Sequence, residues 1–141
     1  MSADAPKRST KQPATKAEAG FPRAARLLKH SDFDRVYKQG RRHFSSHMTV
    51  FYLPQAEGAV AEERARVGLT VGKVLGGAVD RNRIKRRMRE AVRHRRSALS
   101  GAGAVDVVIN PKKSVLTLEF PVLLEEVGRA LETIAKKLEE K

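Results

Sequence analysis

Residues 66–92 read RVGLTVGKVLGGAVDRNRIKRRMREAV. The alternation at its start predicts a strand over 66–72, with Val67, Leu69 and Val71 on one face. The other face carries only Gly68, Thr70 and Gly72. A strand face with so little bulk lets another chain approach the backbone closely. Gly76 and Gly77 then lead into a long helix over 79–97, and Gly101 and Gly103 mark its exit. At about 100° per residue, Ile84, Met88, Ala91 and Val92 make one apolar stripe. Asn82, Lys85, Arg86, Arg89, Arg93 and Arg96 make a cationic band beside it. Arg83 and Arg87 flank the opposite edge, nearer Glu90. Arg95 falls on the apolar side, where either the helix frays or the side chain snorkels.

Outward from this unit, residues 105–109 (VDVVI) predict a strand stopped by Asn110-Pro111. A last helix over 121–138 aligns Leu124, Val127, Leu131, Ile134 and Leu138. Upstream, residues 31–39 predict a short helix with Phe33, Val36 and Tyr37 on one stripe and Gly40 as its stop. Residues 47–53 predict a strand, with Met48, Val50 and Tyr52 opposed to Thr49, Phe51 and Leu53. A further short strand near 42–46 is compatible with the pattern. Residues 55–65 form an acidic, Ala-rich connection. The expected fold is α+β, a single α-β-β-(β)-α-β-α sandwich with one small mixed sheet. The domain spans 23–138, behind a disordered basic tail over 1–22 that lacks Val, Leu and Ile. The tail reads first as a solvated segment and second as a loose electrostatic arm on nucleic acid; an organelle transit peptide fits less well, because Asp4 and Glu18 interrupt it and Lys outnumbers Arg.

The whole chain has 141 residues, with 29 Lys+Arg against 16 Asp+Glu and a net charge of +13. Nine of the basic residues and one acidic residue fall within 81–96. The N-terminal 29 residues carry seven basic against two acidic. Such focused charge calls for a polyanion. Arg dominates the band, which favours bidentate phosphate contacts. Its members recur one turn apart, about 5–6 Å, close to the phosphate spacing of a folded RNA. A solvated helix face would mix more Glu among the cations. A membrane-surface helix would carry Phe, Trp or Leu on its apolar stripe. No membrane partner is therefore expected, and a soluble, cytoplasmic protein is.

Cysteine is absent, which excludes disulfides, Cys-ligated zinc and thiol nucleophiles. A self-sufficient nuclease needs a cluster of carboxylates or a general base. Asp80, Glu90, Asp106 and the histidines 30, 43, 47 and 94 form no convincing set. His43 and His47 have helical metal spacing but stand at a strand entry, and no metal site is expected. Residues 68–73 are one position short of a phosphate loop, and Val74 stands where that loop needs Ser or Thr. A DNA-reading helix would need a helix-turn-helix partner, which the pattern lacks.

The string Arg81-Asn82-Arg83-Ile84-Lys85-Arg86, preceded by the strand, a lysine and a Gly-Ala-Val turn, resembles the signature of the bacterial ribonuclease P protein component. Arg26-Leu27, Asp32-Phe33, Val36-Tyr37 and Gly40 resemble that family's first helix, and residues 50–53 its next strand. The resemblance covers about 24–137. It implies the protein subunit of a ribozyme that removes the 5′ leader from precursor tRNA. The RNA performs the hydrolysis with Mg2+, and no catalytic residue is expected in the protein. By this resemblance, Arg81, Asn82, Arg83, Lys85, Arg86, Arg89 and Arg93 contact the catalytic RNA. Phe33, Tyr37, Val50, Tyr52, Thr70 and Lys73 match a cleft that holds the leader. Aromatics beside an open sheet suit a single strand, because stacking tolerates any base. Read from their own pattern alone, Phe33 and Tyr37 fit ordinary core better, and partial burial with one exposed edge satisfies both readings.

The resemblance also implies a left-handed β-α-β crossover, similar to ribosomal protein S5 domain 2-like folds, against the general right-handed rule. It implies a monomer bound one-to-one to the RNA. Two departures stand out. Gly72-Lys73-Val74 replaces the usual Ser-Lys-Lys, and Gly76-Gly77-Ala78 replaces Gly-Asn-Ala. One cleft cation and one polar turn side chain are thereby lost. The alternative is a ribosomal or other structural RNA-binding protein with no link to tRNA processing.

Overall fold

The computed structural model describes Arg26, residues 29–55 and residues 65–139. The tail expected over 1–22 lies outside the described residues, as does the connection over 56–64. The described elements are α1 (His30–Gln39), β1 (Arg41–Phe44), β2 (Met48–Pro54), β3 (Ala65–Leu69), α2 (Ala78–Arg95), β4 (Val105–Pro111) and α3 (Phe120–Glu139). Short 3-10 turns precede α2 (Lys73–Leu75), follow it (Arg96–Ala102) and precede α3 (Lys113–Leu116). The short strand near 42–46 is present as β1.

The strands lie in the order β1-β2-β4-β3. β1 and β2 are antiparallel, as are β2 and β4, while β3 runs parallel to β4. Parallel neighbours need a crossover, and α2 supplies it. The sheet is therefore mixed and covered on both sides. One face buries Met48, Val50, Tyr52, Val67, Val107 and Ile109 against Ile84, Met88 and Val92 of α2 and Leu123, Val127, Leu131 and Ile134 of α3. The other face packs Val108, Phe51 and Leu53 against Phe33, Val36 and Tyr37 of α1. Central strand β4 has helices over both faces, which is why VDVVI reads as an almost unbroken apolar run.

Several boundaries shift by a few residues from expectation, and three of the differences have a local cause. β3 ends at Leu69 rather than at residue 72. Thr70 N–H still donates to Ile109 O, and the chain then turns into the Lys73–Leu75 element. Asn110 and Pro111 do not stop β4 but belong to it. Pro111 is tolerated because it sits at the last paired position, opposite Met48. α2 ends at Arg95, and the continuation tightens into a 3-10 turn.

Two glycines set the path of the chain. Gly76 has φ 130°, which L side chains avoid, and this turn delivers the chain to α2. At Gly40 a Cβ would lie 2.5 Å from Val36 O and 2.7 Å from Tyr52 O. Only a bare backbone passes between α1 and β2 there. Arg95 snorkels: its stem lies over α3, where a Cβ on Gly128 would come within 3.3 Å of Arg95 Cδ.

One buried charge ties α1 to the sheet. Asp106 of β4 has no exposure. Its Oδ2 accepts from Arg35 Nη2 at 2.6 Å and from Arg66 Nη2 at 2.9 Å. Its Oδ1 accepts from Arg66 Nε at 2.9 Å and from Gln55 Nε2 at 3.1 Å. Asp32 stands 3.6 Å from Arg35 and 3.7 Å from Arg66. The hydrogen bond to Asp106 raises the Arg66 guanidinium above its ordinary value, against its partial burial. A buried carboxylate is tolerable only with this degree of pairing.

Candidate nucleic-acid interface

The first surface is α2. Its apolar stripe is the predicted one, since Ile84, Met88, Ala91 and Val92 are all fully buried. That phase turns the band outward. Asn82, Lys85, Arg86, Arg89 and Arg93 line one shallow groove, together with Glu90. Glu90 thus belongs to the band rather than to the Arg83 and Arg87 edge. Arg93 Nη2 and Nε both donate to its carboxylate, and His94 Nε2 lies 3.1 Å away. The hydrogen bond from Arg93 is the main reason the Glu90 carboxyl sits below its ordinary value.

Arg81 and Arg83 lie outside this groove. Arg83 is exposed on the opposite flank. Arg81 is half-buried at the margin of the apolar stripe, and its Nε is shielded without a hydrogen-bond partner. Arg87 is occupied by the fold: Nη2 donates to Leu118 O, and the guanidinium lies 5.9 Å from the Phe120 ring centroid.

The second surface lies where α1 meets the sheet. Tyr37 reaches across it. Its hydroxyl is 2.6 Å from Thr70 Oγ1 and donates to Asn110 Oδ1 at 2.9 Å. Its ring meets Phe51 edge-on, with centroids 4.9 Å apart at 88°. Arg42 of β1 places its guanidinium 5.5 Å over the Phe51 ring. Phe33, Tyr37, Phe51 and Thr70 all remain partly exposed. Lys73 is exposed in the turn beyond Thr70.

Val50 and Tyr52 do not belong with this group. They are 0% and 1% exposed, in the core beneath α2 and α3. The reason is the period of the strand: β2 alternates sides, and α1 covers the side that carries Phe51. Phe51 therefore takes the place expected of Tyr52, and Asn110 and Arg42 join it. Alternation divides β2 into two faces but cannot say which helix covers which.

A third group is structural. Ser45 and His47 of the β1–β2 turn converge on Glu126 of α3. His47 Nδ1 lies 2.6 Å from Oε1, His47 N–H donates to Oε2 at 2.8 Å, and Ser45 Oγ also donates to Oε2. Burial pushes the Glu126 carboxyl up, but these hydrogen bonds outweigh it and hold the group below its ordinary value. Burial, with Lys137 nearby, also lowers His43. Among the described residues, no group of three His, Cys, Asp or Glu is placed to hold a metal ion. No helix among them is long and apolar enough to cross a membrane.

An arginine groove on one helix and an aromatic cleft on the opposite side of the sheet, on one α+β scaffold, define a nucleic-acid-binding protein. A family model described as Ribonuclease P matches residues 21–135. The ribonuclease P protein component of Desulforapulum autotrophicum is 32% identical over 116 residues, covering 82% of this chain and 93% of that one. That of Dictyoglomus thermophilum is 37% identical over 100 residues, covering 71% and 79%. The solved ribonuclease P protein of Staphylococcus aureus superposes with a TM-score of 0.63 at 28% identity, covering 79% of this chain and 95% of that one. The chain belongs to the ribonuclease P protein family.

Proposed function

We propose that this chain is the protein subunit of ribonuclease P and divides its two surfaces between two RNAs. The α2 groove binds the catalytic RNA. Asn82, Lys85, Arg86 and Arg89 face solvent along one helix flank, so they can follow a phosphate backbone without rearrangement. Arg93 enters at the cost of loosening Glu90. Arg83 reaches the same RNA from the other flank, and Arg81 from the margin of the apolar stripe. The cleft between α1 and the sheet binds the 5′ leader of precursor tRNA. There Phe33, Tyr37 and Phe51 offer ring edges to bases, Thr70 and Asn110 offer hydrogen bonds, and Lys73 offers a cation for a phosphate.

The hydrolysis is supplied by Mg2+ held on the RNA subunit. The protein holds and orients substrate and contributes no general base. One protein acts with one RNA, in the cytoplasm.

The observation that carries this reading is the separation of the two surfaces on opposite faces of one thin sheet. A single protein can then touch catalytic RNA and leader at once. The test is equilibrium binding of precursor and mature tRNA to the RNA subunit, with and without the protein. The protein should tighten precursor binding selectively. Equal tightening of both tRNAs would remove the leader assignment.

A further inference from the structure

Phe44 ends edge strand β1, paired across from Thr49, and so projects on the face that carries Phe51. It is 68% exposed and belongs to neither apolar cluster of the described residues. Thr49 in turn pairs with Asn110. Thr70 follows Leu69, whose partner is Ile109. Phe44, Thr49, Asn110 and Thr70 therefore make one row, across β1, β2 and β4 to the residue just after β3, at the margin of α1. Diagonally across the β1–β2 pair, Phe44 stands about 7–8 Å from Phe51, within reach of one extended nucleotide.

Cations bracket the ring. Arg42, two residues back on the same face, already lies over Phe51. Lys112, just beyond β4, is exposed, and its Nζ is 3.4 Å from Ser46 O in the turn that follows Phe44. Edge strands are normally guarded by charge, not by a bare aromatic ring. Packing gives this ring no role, whereas the cleft beside it offers one.

We propose that Phe44 stacks one further base of the leader, so that the single-strand track runs from Phe33 and Tyr37 over Phe51 and Arg42 and leaves the sheet at β1. This rests on the leader reading of the cleft. The nearby cations favour RNA over an apolar partner, and stacking on an exposed ring requires no sequence match.

The test uses holoenzyme reconstituted with the catalytic RNA, and precursor tRNAs whose leaders carry one abasic nucleotide at successive positions. For the wild type, one position distal to those read by Phe51 should weaken binding about 5- to 100-fold when abasic. In Phe44→Ala that position should fall silent, while Phe44→Trp should keep the effect. The same abasic penalty in Phe44→Ala as in wild type, at every position, would overturn the proposal. So would a loss confined to assembly of Phe44→Ala with the catalytic RNA in the absence of substrate. The Phe51→Ala variant separates the two ideas. If its abasic profile matches wild type throughout, the cleft reading fails; if it loses the proximal positions only, that reading stands and Phe44 is judged on its own.

Discussion

Arg35 Nη2 lies 2.6 Å from Asp106 Oδ2, joining the middle of α1 to a carboxylate with no solvent exposure on the central strand. This pair, with Arg66 on the same carboxylate, sets the height and angle of α1 over the sheet. Charge pairing therefore holds α1 to the sheet beside the small apolar contact around Val36 and Val108 and the Tyr37 hydrogen bonds to Thr70 and Asn110.

Replacing Asp106 with Asn should be costly. It leaves Arg35 and Arg66 with only Asp32, at 3.6 and 3.7 Å, as a shared counter-charge. Removing one partner of a buried pair costs about 3–5 kcal/mol, and the side chains of these arginines keep 30% and 24% of their exposure, so the lower end is expected. Urea unfolding of the variant measures this directly. A loss under about 1 kcal/mol would show that packing alone holds α1.

Phe51→Ala and Tyr52→Ala should separate binding from stability. Phe51→Ala should weaken holoenzyme affinity for leader-bearing tRNA by about 5- to 100-fold, with a smaller effect on mature tRNA. Tyr52→Ala should destabilise the fold by about 3–5 kcal/mol, since its ring lies wholly in the core. Paired binding and unfolding measurements check both. The reverse pattern would put α1 on the wrong face of β2.

Along α2, neighbouring arginines should behave differently. Arg89→Ala should weaken binding to the catalytic RNA and reduce the slope of log affinity against log salt by about 0.7–0.9. Arg87→Ala should instead lower stability, because its guanidinium is spent on Leu118 and Phe120. An unchanged salt slope in Arg89→Ala would remove that residue from the interface.

Glu126 predicts a pH dependence. Its folded pKa lies below its unfolded value, so its contribution is present above the unfolded pKa and is lost as pH falls through the folded one. Glu126→Gln should cost about 1–2 kcal/mol near neutrality. The gap between variant and wild type should begin to narrow as pH falls below the ordinary glutamate value of about 4.3, and close only below the lower folded value. A gap that persists in acid would mean that shape, not charge, holds the β1–β2 turn to α3.

Much of this was legible in the sequence. The phase of α2 followed from Ile84, Met88, Ala91 and Val92, because one apolar stripe on a regular helix admits one solution. The cationic groove followed from that phase. Glu90 was misplaced because a wheel gives directions but not which flexible side chains meet; the pairing with Arg93 pulls it into the band. The assignment of Tyr52 to the cleft failed for a different reason. Period-two alternation is blind to which face a distant helix covers, and β2 has apolar residues on both. Asp106 was visible as a lone charge in an apolar strand. Its partners, 71 and 40 positions away in Arg35 and Arg66, follow no local pattern. The same holds for Tyr37 with Asn110, 73 positions apart.

The central claim is that the protein assists an RNA catalyst and is not one itself. Its most direct test is leader removal at low magnesium by the catalytic RNA, the purified protein, and both together. The account predicts no cleavage by the protein alone and clear stimulation of the RNA. Cleavage by the protein alone, or no stimulation, would contradict it.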